Sequence, residues 1–293
     1  MEHQKKLILF VINPSSGQRK KTAPQEVIQL FFRDKPAFEP VLMELGNRQT
    51  DEKKLRTYIR EGKLYGMVAV GGDGTVKMLA EHLMGSDIPL GILPAGSANG
   101  MAKDLGLPED WNAALEVITS GNTRRIDAIS INGRELSIHL SDIGLNALLV
   151  KHFELSGMRG KLGYARVVMK TLYSRQLIRV EIDNGAEVVN REAFMIVLAN
   201  ARMYGTGACI NPDGDLSDGV FEVVLVKRLS VTELLKMMFR HRPFNPEKTE
   251  IIRARKVKIE TARKMEFQID GEYMGRVTSV QAEMLPGVLT LFT

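Results

Sequence analysis

Residues 64–83 read LYGMVAVGGDGTVKMLAEHL, and this stretch decides the fold. The apolar run before the glycines predicts a buried strand. Apolar residues then recur at helical spacing, at Val76, Leu79, Ala80 and Leu83. A strand that ends in glycines and leads into a helix presents backbone N–H groups together with the positive end of the helix dipole. Because phosphate is the usual ligand of such a turn, the stretch predicts a phosphate-binding loop.

The loop differs from both common phosphate motifs, because no Lys-Ser/Thr pair ends it and the G-x-G-x-x-G spacing is absent. Asp73 stands inside the loop, where its charge would repel phosphate unless a cation lies between them. Mg²⁺ suits that position since it prefers oxygen ligands. The alternative is an ordinary Asp-Gly turn in which Thr75 caps the helix. The loop by itself leaves both interpretations open.

Two further loops of small residues follow predicted strands in the first half of the chain. Residues 7–12 form an apolar run before Asn13-Pro14-Ser15-Ser16-Gly17, and residues 88–93 form another before the loop 94–100. Strands that alternate with helices predict a parallel sheet, whose ligands bind beyond the carboxyl ends of the strands. All three loops are therefore expected at one edge, which favours the phosphate site over three unrelated turns.

The second half of the chain has a different pattern. From residue 126 onward, short apolar runs alternate with turn signals, and Asn132-Gly133 is a strong hairpin signal. We therefore predict a mostly antiparallel, β-rich second domain, interrupted by helices near 147–153, 164–172 and 231–239. The expected domains are residues 1–127 and 128–275.

Composition indicates a globular protein. The 293 residues are 44% hydrophobic and 26% charged, with a net charge of +5. The single cysteine, Cys209, excludes an internal disulfide, and no run approaches the ~20 apolar residues of a membrane span. We expect a cytoplasmic protein whose membrane contact is peripheral.

The region from Lys227 to Lys264 is rich in basic residues, with methionine and phenylalanine among them. It predicts contact with an anionic bilayer, and the alternative is a solvated basic face. The chain has no zinc spacing, RNA-binding aromatic motif or helix-turn-helix pattern, so no nucleic-acid partner is expected.

Two carboxylate-bearing turns are candidates for chemistry. The loop 211–219 holds three aspartates and suits either one structural Mg²⁺ or a plain surface turn. Asp270-Gly271-Glu272 is either a hairpin turn or, if Asp270 faces the phosphate site, the position of a general base that takes a proton from an attacking hydroxyl.

In this order, the motifs resemble those of the diacylglycerol-kinase-like lipid kinases, which include bacterial soluble diacylglycerol kinases and sphingosine kinases. The matching motifs are Asn13-Pro14-x-x-Gly17, Gly71-Gly72-Asp73-Gly74-Thr75, Pro94-x-Gly96-Ser97-x-Asn99, the loop 213–219 and Asp270-Gly271-Glu272. The resemblance implies an α/β nucleotide domain, a β-rich lipid domain and a last segment, about 276–293, that returns to the first. It also implies that ATP and a lipid meet in the cleft between the domains.

The resemblance further implies roles for individual residues. Asp270 would be the general base with Glu272 as its carboxylate neighbour, and Asp73 would join a Mg²⁺–water network at the phosphates. Asp127 matches an acidic position of that network. The structural Mg²⁺ would be bound by Asp215, Asp218 and the carbonyl of Val220. The residues implied to hold the ATP phosphates are Asn13, Gly71, Gly72, Gly74, Thr75, Gly96, Ser97 and Asn99.

The chain departs from the family pattern in two loops. Gly100 stands where the bacterial diacylglycerol kinase pattern has aspartate, and Gln18 stands where a lysine is expected. The Gly-Ser-x-Asn form of the third loop is closer to sphingosine kinases, so the lipid stays open between diacylglycerol and a sphingoid-like lipid. An NAD kinase, which shares the Gly-Gly-Asp-Gly loop, and a nucleotide-binding regulator without catalysis are the alternative functions. The oligomeric state is also open, with a homodimer among the alternatives.

Overall fold

The computed structural model describes residues 5–16, 23–156, 177–204, 209–228 and 245–293. The chain divides into two compact units. The first contains Met1–Ile126 and Gly287–Thr293, and the second contains Asp127–Pro286.

The first unit is built on a parallel sheet with strand order β4-β3-β1-β2. At the end of the chain, Leu291 pairs in parallel with Leu90 of β4. The strands are β1 Lys6–Ile12, β2 Phe38–Glu44, β3 Leu64–Gly71 and β4 Leu90–Pro94. The helices are α1 Pro24–Phe32, α2 Arg48–Glu61, α3 Asp73–Leu83, α4 Gly100–Asp104 and α5 Trp111–Ser120.

Local sequence explains where these helices begin and end. The side chain of Asn47 accepts a hydrogen bond from the Thr50 amide at the start of α2, and Gly62 ends that helix with a φ of +65°. The side chain of Asp110 caps α5 in the same way, through the Ala113 amide. Strand β3 is buried from Gly66 to Gly71, as expected of a central strand covered on both faces.

Strand register places the carboxyl ends of three strands side by side. Ile12 of β1 pairs with Val70 of β3, and Gly71 pairs with Pro94 of β4. The loops that follow these strands therefore begin at the same edge of the sheet, as the sequence predicts.

The second unit is predominantly antiparallel, with strand order β12-β11-β10-β7-β13-β14, while β8 pairs with both β13 and β9. Its early elements are β5 Thr123–Ile131, which begins in the first unit, β6 Glu135–Ser137, β7 Leu140–Gly144 and α6 Leu145–Ser156. The later strands are β8 Ile178–Asp183, β9 Val188–Ala193, β10 Met195–Ala199, β11 Phe221–Val226, β12 Thr249–Ala254, β13 Lys256–Ile269 and β14 Glu272–Phe292.

The predicted fold class is confirmed, with an α/β first part and a β-rich antiparallel second part. The Asn132-Gly133 hairpin is also confirmed, since both residues have positive φ and β5 pairs antiparallel with β6. The predicted helix at 147–153 lies within α6. The helices predicted at 164–172 and 231–239 lie outside the described residues.

The apolar alternation at residues 256–260 marks only the beginning of β13, which runs on to Ile269. A register shift between Glu260 and Met265 interrupts the pairing of β13 with β14, and exposed residues at 262–264 hide the strand's apolar alternation. Among the described residues, no helix is both long and apolar enough to span a membrane.

Candidate active site

Two glycine loops of the first unit touch through their backbones. A Cβ built on Gly96 would lie 2.5 Å from Cα of Gly72, and a Cβ built on Gly72 would lie 3.1 Å from Cα of Gly96. The Ala95 amide also donates to the Gly71 carbonyl, at 2.8 Å. Any side chain at these glycines would push the loops apart, so the absence of a Cβ makes the contact possible.

Asn13 connects the first loop to the start of α3. Its Nδ2 donates to Oγ1 of Thr75 at 3.1 Å, while its Oδ1 accepts from the Ser15 amide at 3.0 Å. Thr75 is buried, and the N-cap of α3 is Gly72, so the interpretation of Thr75 as the helix cap is wrong. Gly17 and Gln18 lie outside the described residues.

Asn99 shapes the third loop from within. It has a φ of +52°, its Oδ1 accepts from the Gly96 amide at 2.8 Å, and its Nδ2 donates to the Gly96 carbonyl at 3.0 Å. Both ends of the side-chain amide thus bind the same residue and hold Gly96 against Gly72. Ser97 is exposed at the tip of the loop.

Asp73 lies in the first turn of α3, where its Oδ1 accepts from the Met101 amide of α4 at 3.1 Å. The Thr75 and Val76 amides bond back to the Gly72 carbonyl. By helix geometry, the amides of Asp73 and the exposed Gly74 have no acceptor within the helix. The start of α3 is thus suited to binding an anion, as the sequence predicts.

In the second unit, the carboxylate of Asp270 accepts hydrogen bonds from a hydroxyl group and from two backbone amides. Its Oδ1 accepts from Ser137 Oγ and from the His139 amide, both at 3.0 Å, and its Oδ2 accepts from the Ile138 amide at 2.9 Å. Asp270 occupies the left-handed region, with a φ of +49°, in the turn between β13 and β14. Its carboxylate is therefore fixed in orientation, which a general base requires. Glu272 follows the turn as the exposed first residue of β14.

The predicted metal-binding loop is closed by its own backbone amides. Oδ1 of Asp215 accepts from the Ser217 amide at 3.0 Å, and Oδ1 of Asp218 accepts from the Val220 amide at 3.1 Å. Asp127, only 2% exposed, joins this loop because its Oδ2 accepts from the Gly219 amide at 2.7 Å. The structure thus brings Asp127 to the loop that contains Asp215 and Asp218.

Three residues in or beside this loop, Asn211, Glu222 and Arg253, were not among the predicted site residues. Buried Glu222 accepts from Nδ2 of Asn211 at 2.6 Å and forms an ion pair with Arg253 at 3.2 Å. Arg253 also lies 3.4 Å from Oδ2 of Asp218. The buried side-chain oxygen of Asn211 has no hydrogen-bond partner among the residues that the structure describes.

The oxygen donors of this loop fit Mg²⁺, which prefers such ligands and retains several waters. No group of three or more His, Cys, Asp or Glu side chains suited to a metal occurs in the part of the chain that the structure describes. Asp215 and Asp218 would therefore need backbone or water ligands to complete a site. Arg253 would compete with a cation for Asp218.

Asp142 is a buried carboxylate that no motif predicted. It is 0% exposed, and burial raises its pKa to about 6, although hydrogen bonds from Asn146, Gln268, the Ala147 amide and Tyr204 oppose that rise. The available signal was a lone acid in the otherwise uncharged strand β7, where an unpaired charge would be costly.

A cavity of about 200 Å³ lies beside α6 in the second unit. Its apolar lining includes Leu145, Leu148, Phe194 and Met265. Glu266, also at the cavity, accepts from Lys151 Nζ at 2.8 Å and from the Tyr273 hydroxyl. Burial alone would raise the pKa of Glu266, but these hydrogen bonds lower it overall.

Several described residues of the basic region are paired with acids. Lys227 pairs with Glu250, Lys256 with Glu283 and Lys258 with Glu260. Others, including Lys236, Arg240 and Arg242, lie outside the described residues. Contact with an anionic bilayer stays a prediction.

Family models match both parts of the chain. Residues 7–131 match the diacylglycerol kinase catalytic domain, and residues 142–293 match the YegS C-terminal NAD kinase beta sandwich-like domain. A diacylglycerol kinase of Bacillus subtilis is 29% identical, over 75% of this chain and 73% of its own. A diacylglycerol kinase of Staphylococcus saprophyticus is 26% identical, over 92% of this chain and 89% of its own.

Solved structures share the fold at lower identity. A diacylglycerol kinase from Bacillus anthracis superposes with a TM-score of 0.69 at 22% identity, covering 98% of this chain and 96% of its own. An NAD kinase from Archaeoglobus fulgidus in complex with ATP gives a TM-score of 0.54 at 13% identity, covering 98% and 93%. With both domain models matched in order along one chain, the protein belongs to the diacylglycerol-kinase-like family, whose fold is shared with NAD kinases.

Proposed function

We propose that the protein transfers the γ-phosphoryl group of ATP to a hydroxyl of a membrane-derived lipid. The observation that carries the proposal is the fixed carboxylate of Asp270, held by Ser137 and two backbone amides. A carboxylate so oriented can accept the proton of the acceptor hydroxyl as that oxygen attacks phosphorus. Glu272 would act as its carboxylate neighbour.

ATP would be bound by the loops of the first unit. The loop from Gly71 to Thr75 would receive the phosphates through the amides of Asp73 and Gly74 at the start of α3, and Asn13, Gly96 and Asn99 would set the loop geometry that positions them. Ser97, exposed at the tip of the third loop, would contact the nucleotide directly.

Asp73 would join a Mg²⁺–water network, which supplies positive charge beside the phosphates. Asp215, Asp218 and the Val220 carbonyl would bind a second, structural Mg²⁺. Neither role involves a residue of the Asp270 turn.

A lipid acceptor is supported by the names of the relatives and by the cavity beside α6, where apolar side chains that suit an acyl chain lie beside Arg263, Lys264 and Arg276. Peripheral binding at an anionic membrane would bring such a substrate to the protein. The second candidate is NAD phosphorylation, favoured by the fold shared with the ATP-bound NAD kinase.

The test presents the protein with ATP, Mg²⁺ and either a total lipid extract or NAD, and identifies the products by mass spectrometry. We expect a phosphorylated lipid with the wild type and none with Asp270→Asn, while ATP binding stays unchanged. Asp183→Asn is the matched control, because Asp183 lies at a turn of the same unit and also accepts a hydrogen bond from a backbone amide. The donor is the Gly185 amide, at 2.8 Å. Phosphorylated NAD as the product would support the second candidate. Full activity of Asp270→Asn would refute the assignment of Asp270 as the general base. ATP binding without any product would instead support a nucleotide-binding regulator without catalysis.

A further inference from the structure

We infer that Asp142 is a positioning residue, which sets the orientation of the Gln268 side chain and through it holds the turn that carries Asp270. The inference rests on the proposed function, in which Asp270 is the general base. Asp142 itself lies within the second unit, on β7, and pairs across the sheet with Gln268 of β13.

The carboxylate of Asp142 is surrounded by donors. Its Oδ1 accepts from the Ala147 amide at 2.8 Å, and its Oδ2 accepts from Asn146 Nδ2 at 2.6 Å and from Gln268 Nε2. An ionised carboxylate is an acceptor only, so Gln268 can meet it only with its NH₂ group. Although burial raises the pKa of Asp142 to about 6, the group is ionised at neutral pH.

The orientation of the Gln268 side-chain amide determines how Gln268 binds the turn. It is 1% exposed, and with its NH₂ group directed at Asp142, its Oε1 accepts from the Gly271 amide at 2.6 Å. If the side-chain amide were reversed, an NH₂ group would face the Gly271 N–H. The acceptor-only carboxylate of Asp142, together with the Leu140 carbonyl that accepts from Gln268 Nε2 at 3.4 Å, therefore selects the orientation in which Gln268 binds the turn.

The backbone conformation of the turn is left-handed at two residues. Asp270 and Gly271 have φ values of +49° and +87°, which glycine adopts freely and which aspartate adopts at a smaller cost than most residues with a Cβ. The Asp270 amide also donates to the Leu140 carbonyl at 3.0 Å. The turn is thus held by its backbone at both residues, and Gln268 supplies the attachment at Gly271.

Asp142→Asn tests the inference, because it places an NH₂ group among donors and forces Gln268 or its neighbours to reorient. We expect kcat to fall between about tenfold and a hundredfold with an unchanged KM for ATP. We also expect faster amide hydrogen exchange at Gly271, measured by NMR. Combining Asp142→Asn with Gln268→Glu should restore both kcat and the exchange rate at Gly271. The new carboxylate at position 268 would accept from the side-chain amide at position 142 and from the Gly271 backbone amide.

Two further variants provide the controls. Asn146→Ala removes another donor to Asp142 without touching the turn, so exchange at Gly271 should keep its wild-type rate. Gln268→Met removes the side-chain hydrogen bonds to Asp142, Leu140 and Gly271 while Asp142 is kept, so it should speed exchange at Gly271 even if Asp142→Asn does not fold. Wild-type exchange at Gly271 in Gln268→Met, or in a folded Asp142→Asn, would overturn the inference.

Amide exchange at Gly271 is measured without catalytic turnover. Failure of the positioning role of Asp142 and failure of Asp270 as the general base therefore give different results. If Asp270→Asn remains active while Gly271 exchange responds as expected, the proposed base is wrong but the support of the turn stands. If Asp270→Asn is inactive while the exchange rate at Gly271 and kcat are unaffected by Gln268→Met, the base stands and the positioning role fails.

Discussion

Replacing Gly96 by alanine tests whether the contact between two glycine loops shapes the nucleotide site. The added Cβ would lie 2.5 Å from Cα of Gly72, 2.9 Å from Oδ1 of Asn99 and 3.3 Å from N of Gly72. Because nonbonded carbon atoms prefer a separation near ~3.5 Å, the loops must part by about 1 Å. The nearest obstacle is backbone, which cannot rotate away as a flexible side chain would.

A displacement of that size at a positioning element costs roughly a hundredfold in rate. We therefore expect kcat/KM for ATP to fall about 100-fold in Gly96→Ala, equivalent to about 2.7 kcal/mol. Gly72→Ala should have a smaller effect through this contact, because its Cβ would lie 3.1 Å from Cα of Gly96 and needs a shift of only a few tenths of an ångström.

The assay measures ATP binding by calorimetry with a nonhydrolysable analogue and the initial rate at varied ATP. Gly46→Ala is the matched control, because a Cβ built there meets no atom of the described residues within 4 Å and its φ is not positive. Thermal unfolding of all three variants separates a displaced site from an unfolded one. Wild-type affinity and rate in Gly96→Ala would refute the argument that the glycine contact sets the loop geometry.

Two further predictions concern stability. Asn99→Gly keeps access to the left-handed backbone but loses both hydrogen bonds to Gly96, whereas Asn99→Ala also meets the penalty of about 1 kcal/mol or more for a positive φ. Denaturant unfolding should therefore show the wild type as the most stable, Asn99→Gly as less stable and Asn99→Ala as the least stable. Equal stabilities of the two variants would contradict the expected penalty for alanine at a positive φ. The second prediction concerns the pH dependence of Asp142, whose pKa is raised from 3.8 to about 6. Between these values the folded state binds a proton that the unfolded state has lost, so the group's contribution to stability falls as pH rises, by about 3 kcal/mol in all. The free energy of unfolding of the wild type minus that of Asp142→Asn should fall by most of this amount, about 2 kcal/mol, from pH 4 to pH 7, and a constant difference would show that Asp142 does not titrate in this window.

The sequence by itself determined the features that depend on local pattern. The apolar run before Gly71 and the helical spacing after it fixed the strand, the loop and α3, since both periodicities are visible within a few residues. The short apolar runs that alternate with turn signals after residue 126 predicted the antiparallel, β-rich second domain. The order of the glycine and aspartate motifs was sufficient to indicate the family.

Only the tertiary structure decided which residues support the site. Gly72 touches Gly96, and Ser137 binds Asp270, because strand register brings together residues that are distant in the chain. Asp142 and Gln268 belong to no motif and meet only because β7 lies beside β13. Motif patterns locate groups that would contact a ligand, whereas the hydrogen bonds that hold those groups depend on nonlocal pairing that no local pattern encodes.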